Sequence, residues 1–183
     1  MDYWESCSPS ECEEPVEVAR VPVINISYSS AERPQFDPRA LMVLGPRISV
    51  DVLPPLVVEK WAKGAGVELK QALNLEALID TGASVTGIDE SVLNQLGYPP
   101  IGVSSLSTPS GTSQTYVYMV RLVIPSQKDP RFPANIPRII IDNVRAIAVK
   151  LGEQPYKVLL GRDILSNMIM VYNGPQALIT LGY

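Results

Sequence analysis

The stretch Ala77-Leu78-Ile79-Asp80-Thr81-Gly82-Ala83-Ser84 places an acidic residue directly after an apolar run, with a glycine two positions later. The run predicts a β-strand, because alternate residues from Leu73 to Ile79 are apolar and would share one face. A carboxylate at the end of such a strand is costly unless it accepts hydrogen bonds. Thr81 and Gly82 can supply a hydroxyl group and a closely approaching backbone. We therefore expect the rest of the chain to hold Asp80 in place.

The composition favours a single β-rich domain. The 183 residues are 46% hydrophobic and include 17 prolines and 12 glycines, which indicates many strands and turns rather than long helices. The formal net charge of −4, without a lysine- or arginine-rich run, argues against nucleic-acid binding. No apolar run approaches the roughly 18 residues of a membrane span, and residues 1–5 show neither the basic nor the apolar region expected of an export signal. We expect a cytoplasmic protein with neither nucleic acid nor membrane as a partner.

Histidine, the commonest general base and metal ligand, is absent. Cys7 and Cys12 lie without a second Cys or His pair that would complete a zinc site. We therefore predict no metal and no cofactor, and any acid–base chemistry would rest on carboxylates, Tyr, Lys or Cys.

The chain is predicted to divide near residue 40. Residues 1–18 contain six acidic residues and no basic one, a composition that cannot bury enough apolar area to offset its ordering entropy. We assign 1–40 to an acidic and proline-rich extension, partly flexible, with a short strand at Val21–Ile26. Residues 41–183 form the predicted folded domain.

Within this domain, alternation and turn residues predict a series of short elements. The predicted strands are Leu41–Leu44, Arg47–Leu53, Glu68–Ile79, Val103–Leu106, Thr115–Ile124, Arg138–Asp142, Val144–Lys150, Lys157–Leu160, Met168–Tyr172 and Ala177–Leu181. Short helices are predicted at Leu56–Lys63, stopped by Gly64; from Asp89 to Leu96, stopped by Gly97; and from Gly161 onward. Ser107–Ser113 is interpreted as the tip of a hairpin, and Pro125–Pro137 as a surface insertion.

One aspartate explains little chemistry by itself, but two can share a proton when they are brought together. Like charges about 3 Å apart cannot both ionise, so one carboxylate acts as base toward a water and the other as acid toward the substrate. Such a pair could hydrolyse a peptide bond without histidine, metal or a nucleophilic side chain.

The residues 78–84, Leu-Ile-Asp-Thr-Gly-Ala-Ser, are followed about eighty residues later by Val158-Leu159-Leu160-Gly161-Arg162-Asp163-Ile164-Leu165. This pair of motifs resembles the retropepsin-like aspartic proteases, that is, retroviral proteases and their single-domain cellular and bacterial relatives. The resemblance covers about Leu41 to Leu181. It implies an all-β fold, the closed barrel of acid proteases, with a flap hairpin and one or two short helices.

The resemblance also implies roles for individual residues. Asp80, Thr81 and Gly82 would form the catalytic motif, with Thr81 making hydrogen bonds across two subunits. Substrate contacts would come from the groove residues and from the tip of the flap: Ala83, Ser84, Pro109, Ser110 and Gly111. The element Leu159–Gly161 would pack behind the active-site loop.

Because the sequence has one Asp-Thr-Gly and about half the length of a two-lobed pepsin, the resemblance implies a symmetric homodimer. The site would lie on the two-fold axis, and the substrate would be a peptide or protein. Asp163 is interpreted as a helix cap or ion-pair partner, since no Thr-Gly or Ser-Gly follows it.

Two features depart from the retroviral pattern. The acid that pairs there with the arginine of Gly-Arg is replaced by Ser84, so Arg162 needs another partner, such as Asp163, Asp89 or a backbone carbonyl. The flap tip contains Pro109 and a single Gly111 in place of a glycine-rich run.

Two alternatives stay open at this point. An isolated Asp-Thr-Gly is typical of an ordinary turn after a strand. A protein can also keep the fold and the motif as a catalytically inactive dimerisation or peptide-binding module. The acidic segment up to about Asp37 could serve as a pro-segment or as an interaction arm.

Overall fold

The computed structural model describes residues 23–108, 111–125 and 138–183. In these ranges the chain forms ten strands and four short helices. In chain order they are β1 (Val23–Ser27), α1 (Pro38–Leu44), β2 (Arg47–Leu53), α2 (Leu56–Ala65), β3 (Ala72–Ile79), β4 (Gly87–Asp89), α3 (Glu90–Leu96), β5 (Gly102–Thr108), β6 (Gly111–Ile124), β7 (Ile139–Val149), β8 (Val158–Leu160), α4 (Arg162–Leu165), β9 (Ile169–Asn173) and β10 (Leu178–Gly182).

The larger sheet closes on itself. Its seven strands follow the order β2-β3-β8-β4-β7-β6-β5, and β2 also pairs with β6. Six strands therefore form a ring, and β5 lies outside it on β6. The β3–β8 and β4–β7 pairs are parallel, whereas the other pairs of the ring are antiparallel. The predicted all-β class and closed barrel are confirmed. The described residues contain four short helices, where the sequence pattern predicted three and the resemblance implied one or two.

Alternation along the strands places the core inside the ring. In β2, Ile48, Val50 and Val52 are almost completely buried, while Arg47, Ser49 and Asp51 are half-exposed. The same period fills the interior from β3, β6, β7 and β8.

The chain ends form a second, three-stranded sheet in the order β1-β10-β9. The terminal hairpin predicted from Met168 to Leu181 corresponds to β9 and β10. β1 lies within the predicted 1–40 extension, yet its Ile24 and Ile26 are buried in the core. The Tyr28 hydroxyl group donates to the backbone carbonyl of Arg47 at 2.9 Å, which ties this segment to the start of β2.

The strand predicted at Leu41–Leu44 is wrong, because these residues belong to helix α1. Asp37 caps its N-terminus by accepting from the backbone N–H of Arg39 at 2.9 Å, and Pro38 occupies the first turn. Gly45, at φ +71°, ends the helix. The capping residues decide the structure here, because a run of four apolar residues has no periodicity that would distinguish a strand from a helix.

Three other boundaries differ from the prediction. Helix α2 runs past Gly64 to Ala65 and is capped by Gly66, whose φ of +68° suits a left-handed cap. β7 is one strand where two were predicted, and Asn143 adopts φ +57° within it. The arms β5 and β6 extend to Thr108 and back from Gly111, so most of the predicted hairpin tip is strand.

The predicted insertion Pro125–Pro137 lies, beyond Pro125 itself, outside the described residues. Among the helices in the described ranges, none has both the length and the apolar character needed to cross a bilayer.

Candidate active site

Asp80 lies where β3 leaves the barrel. Ile79 pairs with Leu160 in the parallel β3–β8 ladder, and the Asp80 backbone N–H donates to the Leu160 carbonyl at 3.0 Å. The last bond of the ladder therefore fixes the position at which the loop begins. The Asp80 residue is half-exposed there, at the rim of a buried core.

The Asp80 carboxylate is held by its own loop. Oδ1 accepts from the backbone N–H of Gly82 at 2.8 Å and of Ala83 at 3.3 Å. A β-carbon at Gly82 would lie 3.0 Å from Oδ1, so a larger residue would crowd the carboxylate. Oδ2 accepts no hydrogen bond in the described part of the chain. One oxygen is thus anchored, and the other is available to a proton, a water or a second carboxylate.

Arg162 binds the outer side of this loop. Its Nη1 donates to the backbone carbonyls of Thr81 at 2.8 Å and Gly82 at 3.3 Å, and its Nη2 donates to Ser84 Oγ at 2.9 Å. A backbone carbonyl was among the partners expected for Arg162. Ser84 also accepts a hydrogen bond from Arg162. A neutral hydroxyl group therefore occupies the position at which the retroviral pattern has an acid.

A second connection, which the sequence did not predict, lies beneath the loop at Thr86. This residue is completely buried, and its backbone N–H and hydroxyl group donate to the two oxygens of Asp163 at 3.0 and 2.8 Å. The same hydroxyl oxygen accepts from the Gly161 backbone N–H at 3.2 Å. The only sequence signal was a threonine among apolar neighbours, which does not identify a partner 77 residues away. Asp163 serves this contact and also accepts from the Ile164 backbone N–H.

Gly161 allows the two segments to touch. A β-carbon there would lie 2.6 Å from the Val85 carbonyl carbon and 2.8 Å from the Thr86 backbone nitrogen. Both are backbone atoms and cannot move alone. The neighbouring Arg162 backbone N–H donates to the Ala83 carbonyl at 2.9 Å, which completes the join between the Asp80 loop and the β8–α4 junction.

The predicted site residues divide into two groups. Asp80 to Ser84 lie together on one loop, where Thr81, Gly82 and Ser84 are exposed and Ala83 is half-exposed. The Thr81 hydroxyl group makes no hydrogen bond in the described part of the chain. Gly111 is exposed at the start of β6 with φ +128°, whereas Pro109 and Ser110 lie outside the described residues.

The β5–β6 hairpin is a two-stranded arm. β6 has 14 residues, and its second half, from Val117 onward, pairs with β7. Its first half pairs with β5 only, in register from Gly102–Val117 to Thr108–Gly111. The side chains from Gly111 to Gln114 are exposed, so this part of the hairpin adds nothing to the barrel core.

Comparisons with known proteins match the chain to one protein family and to solved structures. The aspartyl protease family matches residues 65–164, more than half of the chain and both motif regions. The chain is similar to the crystal structure of a retropepsin-like aspartic protease from Rickettsia conorii, with 14% identity and a TM-score of 0.47 over 90% of this chain and 93% of that one. It is also similar to the solution structure of simian foamy virus (mac) protease, with 18% identity and a TM-score of 0.35 over 66% of this chain and 92% of that one. No curated protein matches the sequence.

Proposed function

The chain belongs to the aspartyl protease family, and we propose on that premise that it is a homodimeric aspartic endopeptidase. Its nucleophile would be a water held between Asp80 and the partner subunit's Asp80. The substrate would be an extended peptide or a protein segment.

The observation that carries the proposal is the asymmetry of the Asp80 carboxylate. Oδ1 is anchored by two backbone N–H groups, and Oδ2 has no hydrogen-bond donor within the described residues. The loop itself is joined to the β8–α4 junction on both sides, through Arg162 and through Thr86. Such support favours a carboxylate that keeps one orientation while its free oxygen exchanges a proton.

A second carboxylate is required because hydrolysis needs a base and an acid at the same time. One deprotonated carboxylate takes a proton from water, whose oxygen adds to the peptide carbonyl carbon, and the protonated carboxyl group gives its proton to the carbonyl oxygen. Transfer of a proton to the nitrogen then breaks the C–N bond and yields an acid and an amine. The 183 residues contain one Asp-Thr-Gly, so a second copy of the chain would supply the other carboxylate.

We propose a role in this dimer for each of the remaining site residues. Thr81, whose hydroxyl group is unused within the described chain, would bond across the two subunits. Ala83 and Ser84 would line the groove. The β5–β6 arm would close over the peptide with Pro109, Ser110 and Gly111 at its tip, because a two-stranded arm free of the core can move without disturbing the barrel.

The variant Asp80→Asn tests the catalytic role, because it keeps the size of the side chain and removes its charge. The variant should fold and dimerise like the wild type but fail to cleave a peptide library analysed by mass spectrometry. Cleavage by the variant would refute the assignment. A wild type that binds peptides but never cleaves them would indicate the inactive peptide-binding module.

Mixing experiments test the dimer. Asp80→Asn chains added in equal amount to wild-type chains should lower activity per wild-type chain to about half, since half of its partners are then inactive. The chains must exchange partners before the assay. Unchanged activity per wild-type chain, with exchange shown by a mass-tagged copy, would mean that each chain works alone.

A further inference from the structure

Arg162 combines an exposed cation with a fixed position beside Asp80. Its guanidinium group bonds to the carbonyls of the two residues that follow Asp80. In the ranges that the structure describes, the one ion pair is Arg121–Glu59, so no carboxylate oxygen lies within 4.0 Å of the Arg162 guanidinium group. The loop from Thr81 to Thr86 contains no acidic residue.

The hydrogen bonds of Arg162 orient its charge without using all of its donors. A guanidinium group has five N–H donors, and three neutral oxygens accept from Nη1 and Nη2. Nε–H donates to nothing in the described part of the chain. Arg162 is therefore held in a fixed position, with no carboxylate in direct contact and at least one donor unused among the described residues.

We infer that Arg162 is a specificity-determining residue that binds a carboxylate side chain of the peptide substrate. This inference rests on the proposed function and deepens it, because it names the substrate class as peptides with an acidic residue near the cleaved bond. Carboxylates are the side chains that guanidinium groups bind best, through charge-assisted hydrogen bonds.

The geometry limits where the acidic residue lies. An extended peptide advances about 3.3 Å per residue, and Arg162 contacts the backbone one and two residues beyond Asp80. A side chain within about three positions of the cleaved bond would therefore reach it. A carboxylate at the cleaved bond itself would face Asp80 and be repelled, so the preferred position is displaced from the bond by at least one residue.

The experiment compares peptides that differ only by Glu or Gln at one position, for each of three positions on either side of a cleaved bond. The ratio of kcat/KM values for Glu and Gln, measured with the full chain at low salt and pH 6, should be about ten at one displaced position. The ratio should fall at high salt, because an exposed charge pair is screened. Ratios near one at every position would overturn the inference while leaving the proposed function intact. A total absence of cleavage would instead contradict the proposed function.

Two variants assign the preference to Arg162. Arg162→Gln should bring the ratio close to one. Ser84→Asp should do the same with Arg162 still present, because the new acid would occupy its guanidinium group. Since each ratio is measured within a single variant, a general loss of activity does not affect it. For a variant that does not turn over, binding of the same peptides is compared in the Asp80→Asn background.

A persistent ratio in both variants would overturn the assignment. A loss of dimer in Arg162→Gln, together with a wild-type ratio near one, would also overturn it and would place Arg162 in the subunit contact. The pH dependence gives an independent reading. The glutamate of the substrate is protonated below about pH 4.3, so the wild-type ratio should decline toward one below that pH.

Discussion

Arg162 Nη2 lies 2.9 Å from Ser84 Oγ, so a neutral hydroxyl group bonds to a guanidinium group from 78 residues away in the sequence. The same guanidinium group reaches the carbonyls of Thr81 and Gly82. The Arg162 side chain thus holds the exposed side of the Asp80 loop through three hydrogen bonds. The buried Thr86 holds the inner side of the loop through its bonds to Asp163.

The outer contact should contribute modestly to stability because it is exposed. Ser84→Ala is expected to lower the free energy of unfolding by about 0.5 kcal/mol, and Arg162→Ala by about 1 kcal/mol, since it also removes the bonds to the carbonyls. Urea denaturation measures both values. The double variant should lose less than the sum, because the two residues share one hydrogen bond. Strict additivity would mean that the bond adds nothing to stability.

The inner contact should contribute more. Thr86→Val keeps the shape and the backbone N–H that donates to Asp163 Oδ2, but it removes the hydroxyl donor to Asp163 Oδ1 and leaves the Gly161 N–H without its acceptor. We expect a loss of about 3 kcal/mol. Thr86→Ser retains the hydroxyl group and should lose only about 1 kcal/mol, the value of a buried methyl group. Thermal or urea unfolding distinguishes the two. Equal losses would show that packing, and not hydrogen bonding, is what Thr86 supplies.

Gly161 and Gly64 form a matched pair for substitution by alanine. Gly161→Ala would push a β-carbon against backbone atoms at 2.6 and 2.8 Å, and we expect a loss of at least about 2 kcal/mol. Gly64 lies in helix α2, where an added β-carbon would meet no atom of the described chain within 4 Å. There alanine should raise the unfolding free energy by about 0.5 to 1 kcal/mol. A tolerated Gly161→Ala would contradict the close approach.

Asp89 gives the fold a dependence on pH. Burial by itself would raise the pKa of Asp89. The carboxylate accepts hydrogen bonds from the Ser91 side chain and from the backbone N–H groups of Leu151 and Ser91, and it feels the positive charge of Lys157. These interactions outweigh burial and hold the pKa of Asp89 below its usual range. Because the folded pKa is the lower one, this stabilisation is present above about pH 3.9 and is lost as the pH falls through the folded pKa.

The variant Asp89→Asn isolates this effect. It should be less stable than the wild type by about 1 kcal/mol at pH 7, because a charged acceptor becomes neutral. The difference should shrink when urea denaturation is repeated near pH 3. A difference that stays constant between the two pH values would show that the charge of Asp89 is not responsible.

The sequence predicted the parts of the fold that depend on neighbouring residues. The alternation of β2, the cap of α3 by Asp89 with its stop at Gly97, and the terminal hairpin are all determined within a few positions. Helix α1 was missed because its signal is the Asp37-Pro38 pair before it and not a periodic pattern. Short apolar runs do not distinguish a strand from a helix.

The candidate site divides in the same way. The turn around Asp80 follows from Asp, Thr and Gly in succession, and the structure has that turn. The bonds from Thr86 to Asp163 and from Arg162 to Ser84 depend on the β3–β8 register, which brings distant segments together. A hydroxyl group can bond to many partners, so its partner is decided by tertiary structure alone.

The closed ring of six strands has a consequence for association. Every strand of the ring has a neighbour on each side, but the short strands cover only part of the longer ones: β8 pairs with residues 77–79 of β3, and β4 pairs with residues 147–149 of β7. Among the described residues, the strands at the end of a sheet are β5, β1 and β9. These three strands, on the arm and in the terminal sheet, have a neighbour on one side only. An extended segment that joins this protein by main-chain pairing can therefore add to them without breaking the ring that carries Asp80.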